Sequence, residues 1–161
     1  MDFMVLSWVL VFLLTFLGME FVAWGLHKYV MHGFLWVLHE DHHDPNHKGI
    51  FQKNDAFAFF FFLPSFLSIL FGTQGDMPLL GAFGFGIMAY GLAYFFVHEI
   101  IIHRRLRWFK SMNFYFDGLV AAHKGHHSVH TKEGAYNFGM LVVHPRYITQ
   151  AWKRRRARSN S

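Results

Sequence analysis

The chain has 161 residues, a formal net charge of +5 at pH 7, 53% hydrophobic residues, 21 Phe and only 16% charged residues. Soluble domains carry nearer a quarter charged residues, so the composition points to a membrane protein, and the length leaves room for a single domain over 1–161. No cysteine is present, which excludes both a disulfide framework and a thiolate metal site.

Residues 3 to 26 are almost continuously apolar, broken by Ser7, Thr15 and Glu20. A helix of that length covers the roughly 30 Å hydrocarbon layer. It is too long for a signal-peptide core and lacks a basic leading region, so it reads as a retained span. Glu20 places one carboxyl in that span, seven residues before His27 and on the same helix face.

Five histidines follow within seventeen positions: His27, His32, His39, His42 and His43. The polar stretch 44–55 carries turn signals and reads as a surface loop. A Phe-dense run from Ala56 to Gly72, the turn Thr73 to Pro78 and a second apolar run from Leu79 to Val97 read as a hairpin crossing the membrane twice. Pro64 should kink its first arm, which a helix bundle tolerates. Gly81, Gly84, Gly86 and Gly91 in the second arm suit close helix packing.

All fifteen Lys and Arg lie in residues 28–53 or 104–158, and none precedes the first span or lies in the turn at 73–78. By the positive-inside rule the N-terminus and that turn face outward. Three spans then place every histidine cluster and the C-terminus on the cytoplasmic side. Residues 104 to 122 are expected to form an interfacial or re-entrant helix leading to His123. The basic tail 153–161 reads as an anchor to anionic lipid headgroups, and nucleic acid is not expected as a partner. The resulting fold class is all-α: an integral membrane helical bundle of about three transmembrane helices, with interfacial helices carrying a cytoplasmic histidine cluster.

The histidines repeat. His98 and His103 have the spacing of His27 and His32, and His123, His126 and His127 have that of His39, His42 and His43, so ten of the thirteen histidines fall into four boxes. Imidazole suits Zn, Cu, Fe and Ni, and the donor type alone leaves all four open. Histidines at i, i+3 and i+4 project from one side of a helix. A pair at i, i+5 lies about 140° apart on an ideal helix. Such a pair serves two adjacent ions, or one ion if the helix is distorted, and ten ligands shared between two metals give about five each.

Glu40, Asp41, Asp44, Glu99 and Asp117 are available to accept the second ring N–H of a ligating histidine. His47 and His130 lie just beyond two of the boxes and are further candidates near the metals, whereas His144, before Pro145, reads as structural. A carboxylate-bridged di-iron bundle would need two Glu-x-x-His motifs, and only Glu40 to His43 matches. His39-Glu40-Asp41-His42-His43 also satisfies the His-Glu-x-x-His pattern of zinc proteases, with Glu40 as general base. Its duplicate carries Lys124 where Glu40 stands. Metal transport is a third reading, but transporter ligands belong near the bilayer midplane and these cluster at one surface.

The box order resembles the membrane-bound fatty acid hydroxylase superfamily. Four stretches are similar to the bacterial beta-carotene 3-hydroxylase branch of it over about residues 20 to 147: His27-Lys-Tyr-Val-Met-His32, His39-Glu-Asp-His-His43-Asp-Pro, Phe96-Val-His98-Glu-Ile-Ile-Ile-His103-Arg-Arg and His123-Lys-Gly-His-His127-Ser-Val-His130-Thr-Lys-Glu-Gly-Ala-Tyr-Asn-Phe-Gly. The resemblance implies a non-haem di-iron monooxygenase of the bacterial inner membrane, with two Fe ions held by the ten box histidines and O2 as co-substrate. It would turn beta-carotene into beta-cryptoxanthin and zeaxanthin, with no catalytic residue beyond the ligands. Related carotenoids, fatty acids or sterols would use the same boxes. No dinucleotide-binding Gly motif is present, and the family implies ferredoxin and its reductase as donor. The basic face at Arg104, Arg105 and Arg107 is the expected place for an acidic donor to dock. The Phe-rich spans are expected either to shelter the polyene or to face lipid.

Overall fold

The structure is a computed structural model describing residues 2–47, 49, 51–105 and 113–160. Among the described residues there is no strand. Three stretches are helices long and apolar enough to cross a membrane, Phe3–Phe34, Lys53–Gln74 and Pro78–Ile102, as the hydropathy pattern requires. The chain divides into two compact units, residues 1–22 with 55–93 and residues 23–54 with 94–161.

The first unit holds most of α1 (Phe3–Gly25), with α3 (Ala58–Gln74) and most of α4 (Pro78–Phe95). Small residues let these helices approach. A Cβ on Gly72 would lie 2.3 Å from the Gly81 nitrogen, and one on Gly86 would lie 2.7 Å from Thr15 Cβ. Ser65, which follows Pro64 inside α3, donates from Oγ to the Gly84 carbonyl at 2.9 Å. Glu20 is buried and accepts from the Tyr90 hydroxyl at 2.8 Å, so its carboxylate is engaged by a neighbouring helix. Phe59, Phe60, Phe62, Phe66 and Phe71 are all exposed, so most of the Phe-dense run lies on the surface of the helices and not in their core.

In the second unit α1 passes into a π-helical stretch, Leu26–Phe34, which ends at Gly33 with non-helical torsions (φ −110°, ψ −124°). The short α2 (Trp36–His39) and a 3₁₀ turn (Glu40–His42) follow. A second π-helical stretch, Phe96–Ile102, continues α4. Of the stretch 104–122, where a helix leading to His123 is expected, the second part is helical: α5 (Phe114–His126) starts at Phe114 and carries His123 within it, and residues 106–112, with Arg107, lie outside the described residues. The Asn113 side chain accepts from the Tyr115 and Phe116 N–H groups at 2.9 and 3.2 Å, capping α5.

The basic tail belongs to α6 (Pro145–Ser159), whose first turn His144 caps by accepting from the Arg146 N–H at 3.2 Å. That is the structural role expected of His144. α5 and α6 pack closely because Gly118 has no side chain: a Cβ there would sit 3.0 Å from Ile148 Cα. Val97, Ile102, Leu119 and Met140 form the apolar core beside the site.

Candidate metal centre

Ten histidines converge in the second unit. His27, His32, His39, His43 and His126 form one group that could hold a metal ion, and His42, His98, His103 and His123 form another, with ligand atoms within 4.8 Å of one another in each. The tenth, His127, has its Nε2 2.9 Å from His123 Nε2 and its ring stacked 4.3 Å from that of His43. The structure thus brings together all ten box histidines.

Their distribution differs from the helix-face expectation. The i, i+5 pairs each serve one group, His27 with His32 and His98 with His103. The reason is local. Both pairs lie on or at the end of π-helical backbone, where hydrogen bonds close over five residues, as from the His103 N–H to the His98 carbonyl at 2.9 Å. A wider turn brings residues five apart back towards one face, and such segments recur at functional sites. The i, i+3, i+4 boxes instead split. His39 and His43 enter the first group and His42 the second, while His123 enters the second and His126 the first. Residues i+3 and i+4 diverge by about 100° around the axis, enough to reach sites on either side.

Oxygen acceptors set the ring orientations. Nδ1 of His27, His32, His43 and His126 faces the carbonyls of Phe138, Lys132, Val129 and Tyr136 at 3.1, 3.0, 2.8 and 2.8 Å. His39 Nδ1 faces Asn54 Oδ1 at 2.6 Å, His42 Nδ1 faces Gln52 Oε1 at 2.8 Å, and His98 Nδ1 faces Glu99 Oε1 at 2.6 Å. Each acceptor favours the tautomer with its proton on Nδ1, in which Nε2 carries the lone pair that binds a metal.

Those lone pairs point at each other. His32 Nε2 lies 3.2 Å from His43 Nε2 and 3.1 Å from His126 Nε2, and His42 Nε2 lies 3.2 Å from His98 Nε2. Nitrogens bound to one ion at about 2.0–2.1 Å are separated by about 2.8–3.4 Å for angles between 90° and tetrahedral. His27 Nε2 is likewise buried with no hydrogen-bond partner. The donor set therefore fits metal ions, and the converging lone pairs would otherwise repel.

Burial favours the neutral form of the seven box rings that lie outside the spans. It pushes His39 down to about 2, with His43 and His32 beside it adding to the effect, and it pushes His43 down to about 4. His103 and His126 are held at about 3, and His42, His123 and His127 are also lowered, in each case first by burial and then by neighbouring imidazoles. A neutral imidazole is the form that binds a metal.

Of the acidic and histidine candidates expected near the metals, Glu99 faces a box histidine. Glu40 is half-exposed and pairs with Lys53 Nζ at 3.2 Å. Asp117 pairs with Arg155. Asp44 caps its own turn by accepting from the Asn46 N–H at 2.8 Å, His47 Nε2 faces the Phe51 carbonyl at 3.2 Å, and His130 is exposed. Asp41 accepts from the Lys53 N–H at 2.7 Å. It thereby pins the loop whose Gln52 and Asn54 flank Lys53 and reach His42 and His39. Those two amides, and the carbonyls of 129–138, are what the sequence reading missed. Their only signal was a polar loop between apolar runs and the wording after the last box. The position of Glu40, turned out to Lys53, also removes the general base that a zinc protease would need at His39 and His43.

The profile of the fatty acid hydroxylase family matches residues 12–146. The chain belongs to that family. A beta-carotene hydroxylase of Pantoea ananas is 42% identical over 91% of this chain and 83% of its own length, and one of Pseudescherichia vulneris is 38% identical over the same shares. The chloroplastic beta-carotene hydroxylase 1 of Capsicum annuum is 41% identical over 70% of this chain and 36% of its own length. No solved structure matches the chain significantly. The similarity to the fatty acid hydroxylase family spans all four boxes, so each histidine of the two groups lies inside the matched region.

Proposed function

We propose that this membrane hydroxylase holds two iron ions in its paired histidine groups and inserts one oxygen atom from O2 at C3 of each beta-ionone ring of beta-carotene, giving beta-cryptoxanthin and then zeaxanthin. The observation that carries the reading is the pairing itself. Two adjacent all-nitrogen groups meet at the sequence neighbours His42 and His43, in a chain 38–42% identical to bacterial beta-carotene hydroxylases.

Bound iron would supply the activation of O2 and the hydroxylation of an otherwise inert C–H bond. The protein does the rest. The ten box histidines act as ligands, with His127 completing the second group. Glu99, Gln52, Asn54 and the carbonyls of the 129–138 loop hold the ring tautomers. Burial of nearly every ligand excludes bulk water, which would otherwise intercept the oxidising chemistry.

One oxygen atom enters the substrate and the other leaves as water, so each turnover needs two electrons and two protons. Ferredoxin with its reductase is the donor we assign. Exposed Arg104 and Lys124 supply positive charge near the site to steer an acidic protein, an attraction that weakens as salt rises. The enzyme sits in a bacterial inner membrane with the histidine groups and C-terminus on the cytoplasmic side. The confinement of Lys and Arg to residues 28–53 and 104–158 supports that orientation, and the basic face of α6 meets anionic headgroups.

The deciding experiment is the pigment profile of a beta-carotene-accumulating bacterial host expressing the chain beside a His43→Ala control. Beta-cryptoxanthin and zeaxanthin appear only with the intact chain. Iron-loaded, membrane-inserted protein that yields no hydroxylated pigment would exclude carotene as substrate and direct the search to lipids.

A further inference from the structure

The basic pair after the third box was expected to face a docking protein. Arg104 is exposed, but Arg105 turns inward. Its backbone N–H donates to the Glu99 carbonyl at 2.9 Å, so the chain folds back over the end of the π-helical stretch. Its guanidinium then forks, with Nε 2.7 Å from Glu99 Oε2 and Nη2 donating to Gln52 Oε1 at 2.8 Å.

These two acceptors are the ones that orient histidines of the second group. Glu99 Oε1 faces His98 Nδ1 at 2.6 Å and Gln52 Oε1 faces His42 Nδ1 at 2.8 Å. The rings of the first group are held by different acceptors, Asn54 and loop carbonyls. A planar guanidinium with fixed donors can hold two oxygens in a set geometry, and an ammonium cannot. A carboxylate that accepts an imidazole N–H strengthens the imidazole as a ligand, and the arginine fixes where that carboxylate sits.

We infer that Arg105 is a positioning residue for the second histidine group, acting through Glu99 and Gln52, and that it takes no part in docking the electron donor. The inference rests on the reading of the histidine groups as metal sites. Removing the guanidinium frees Glu99 and Gln52 to turn away, and His98 and His42 lose their fixed tautomer and direction. The first group, with separate acceptors, keeps its ion.

The test uses the full-length chain in detergent, stripped of metal and titrated with Co(II), with the ions bound and their visible spectra recorded. Wild type takes up two ions. Arg105→Gln keeps one at wild-type affinity and binds the other about 10- to 100-fold more weakly, the usual effect of losing a partner behind a ligand. Its remaining spectrum matches that of His98→Ala and differs from that of His32→Ala. Arg104→Gln, which removes the same charge one residue earlier, binds like wild type. Two tight ions in Arg105→Gln, or equal weakening in Arg104→Gln, would overturn the inference.

If Arg105→Gln fails to fold, Arg105→Lys decides. Weakening of the second ion alone supports the positioning role, and two tight ions overturn it. Wild-type protein that binds no ion rejects the metal reading, and the inference falls with it.

Discussion

His42 and His43 are adjacent in the chain and lie in different histidine groups: His43 Nε2 lies 3.2 Å from His32 Nε2, and His42 Nε2 lies 3.2 Å from His98 Nε2. If each group holds an ion, as proposed, replacing each with Ala removes a ligand from a different one. Both variants should lose hydroxylated pigment by more than the roughly 10–100-fold typical of losing an outer partner. Metal analysis separates them. His43→Ala weakens the ion shared with His32 and His126, and His42→Ala weakens the one shared with His98. Loss of the same ion in both would disprove the division into two groups.

Glu40 faces Lys53 and no histidine. Glu40→Gln should cost less than about 1 kcal/mol of stability, as for an exposed ion pair, and leave zeaxanthin formation intact. Thermal unfolding and the pigment assay check this. A collapse of zeaxanthin formation in a folded Glu40→Gln variant would place Glu40 in the hydroxylation itself.

Gly72 and Gly81 set how closely α3 and α4 approach. A methyl group on Gly72 would lie 2.3 Å from the Gly81 nitrogen and 2.5 Å from its Cα, and backbone cannot yield as a flexible side chain can. Gly72→Ala should destabilise the protein by about 1–3 kcal/mol, the usual cost of overpacking. Gly91→Ala, with nothing within 4 Å of its added Cβ, is the matched control. Unfolding in mixed micelles should separate the two.

The topology can be read directly because the chain has no cysteine. In intact cells a membrane-impermeant maleimide should label Asp76→Cys, in the turn between α3 and α4. It should label Ser128→Cys, just after the last box, only once the membrane is opened. Labelling of both without permeabilisation would contradict the cytoplasmic assignment of the site.

The sequence by itself determined the membrane class, the three spans and the ten histidines, because apolar length and ligand type are local properties that survive without coordinates. It also left a ligand count, ten, that two metals would share at about five each. Which histidine joins which group was decided only by the tertiary structure. A regular helix separates His27 from His32 by about 140°, and only the π-helical backbone at Leu26–Phe34 and Phe96–Ile102 returns each i, i+5 pair to one site. The acceptors behind the ligands were equally hidden, since the Lys132 carbonyl meets His32 from 100 residues away and any residue can offer a carbonyl. Arg105 shows the limit most clearly. By composition it is one of fifteen surface-favouring cations, and only the folded chain, by setting Glu99 and Gln52 within reach of one guanidinium, draws it inward to the metal centre.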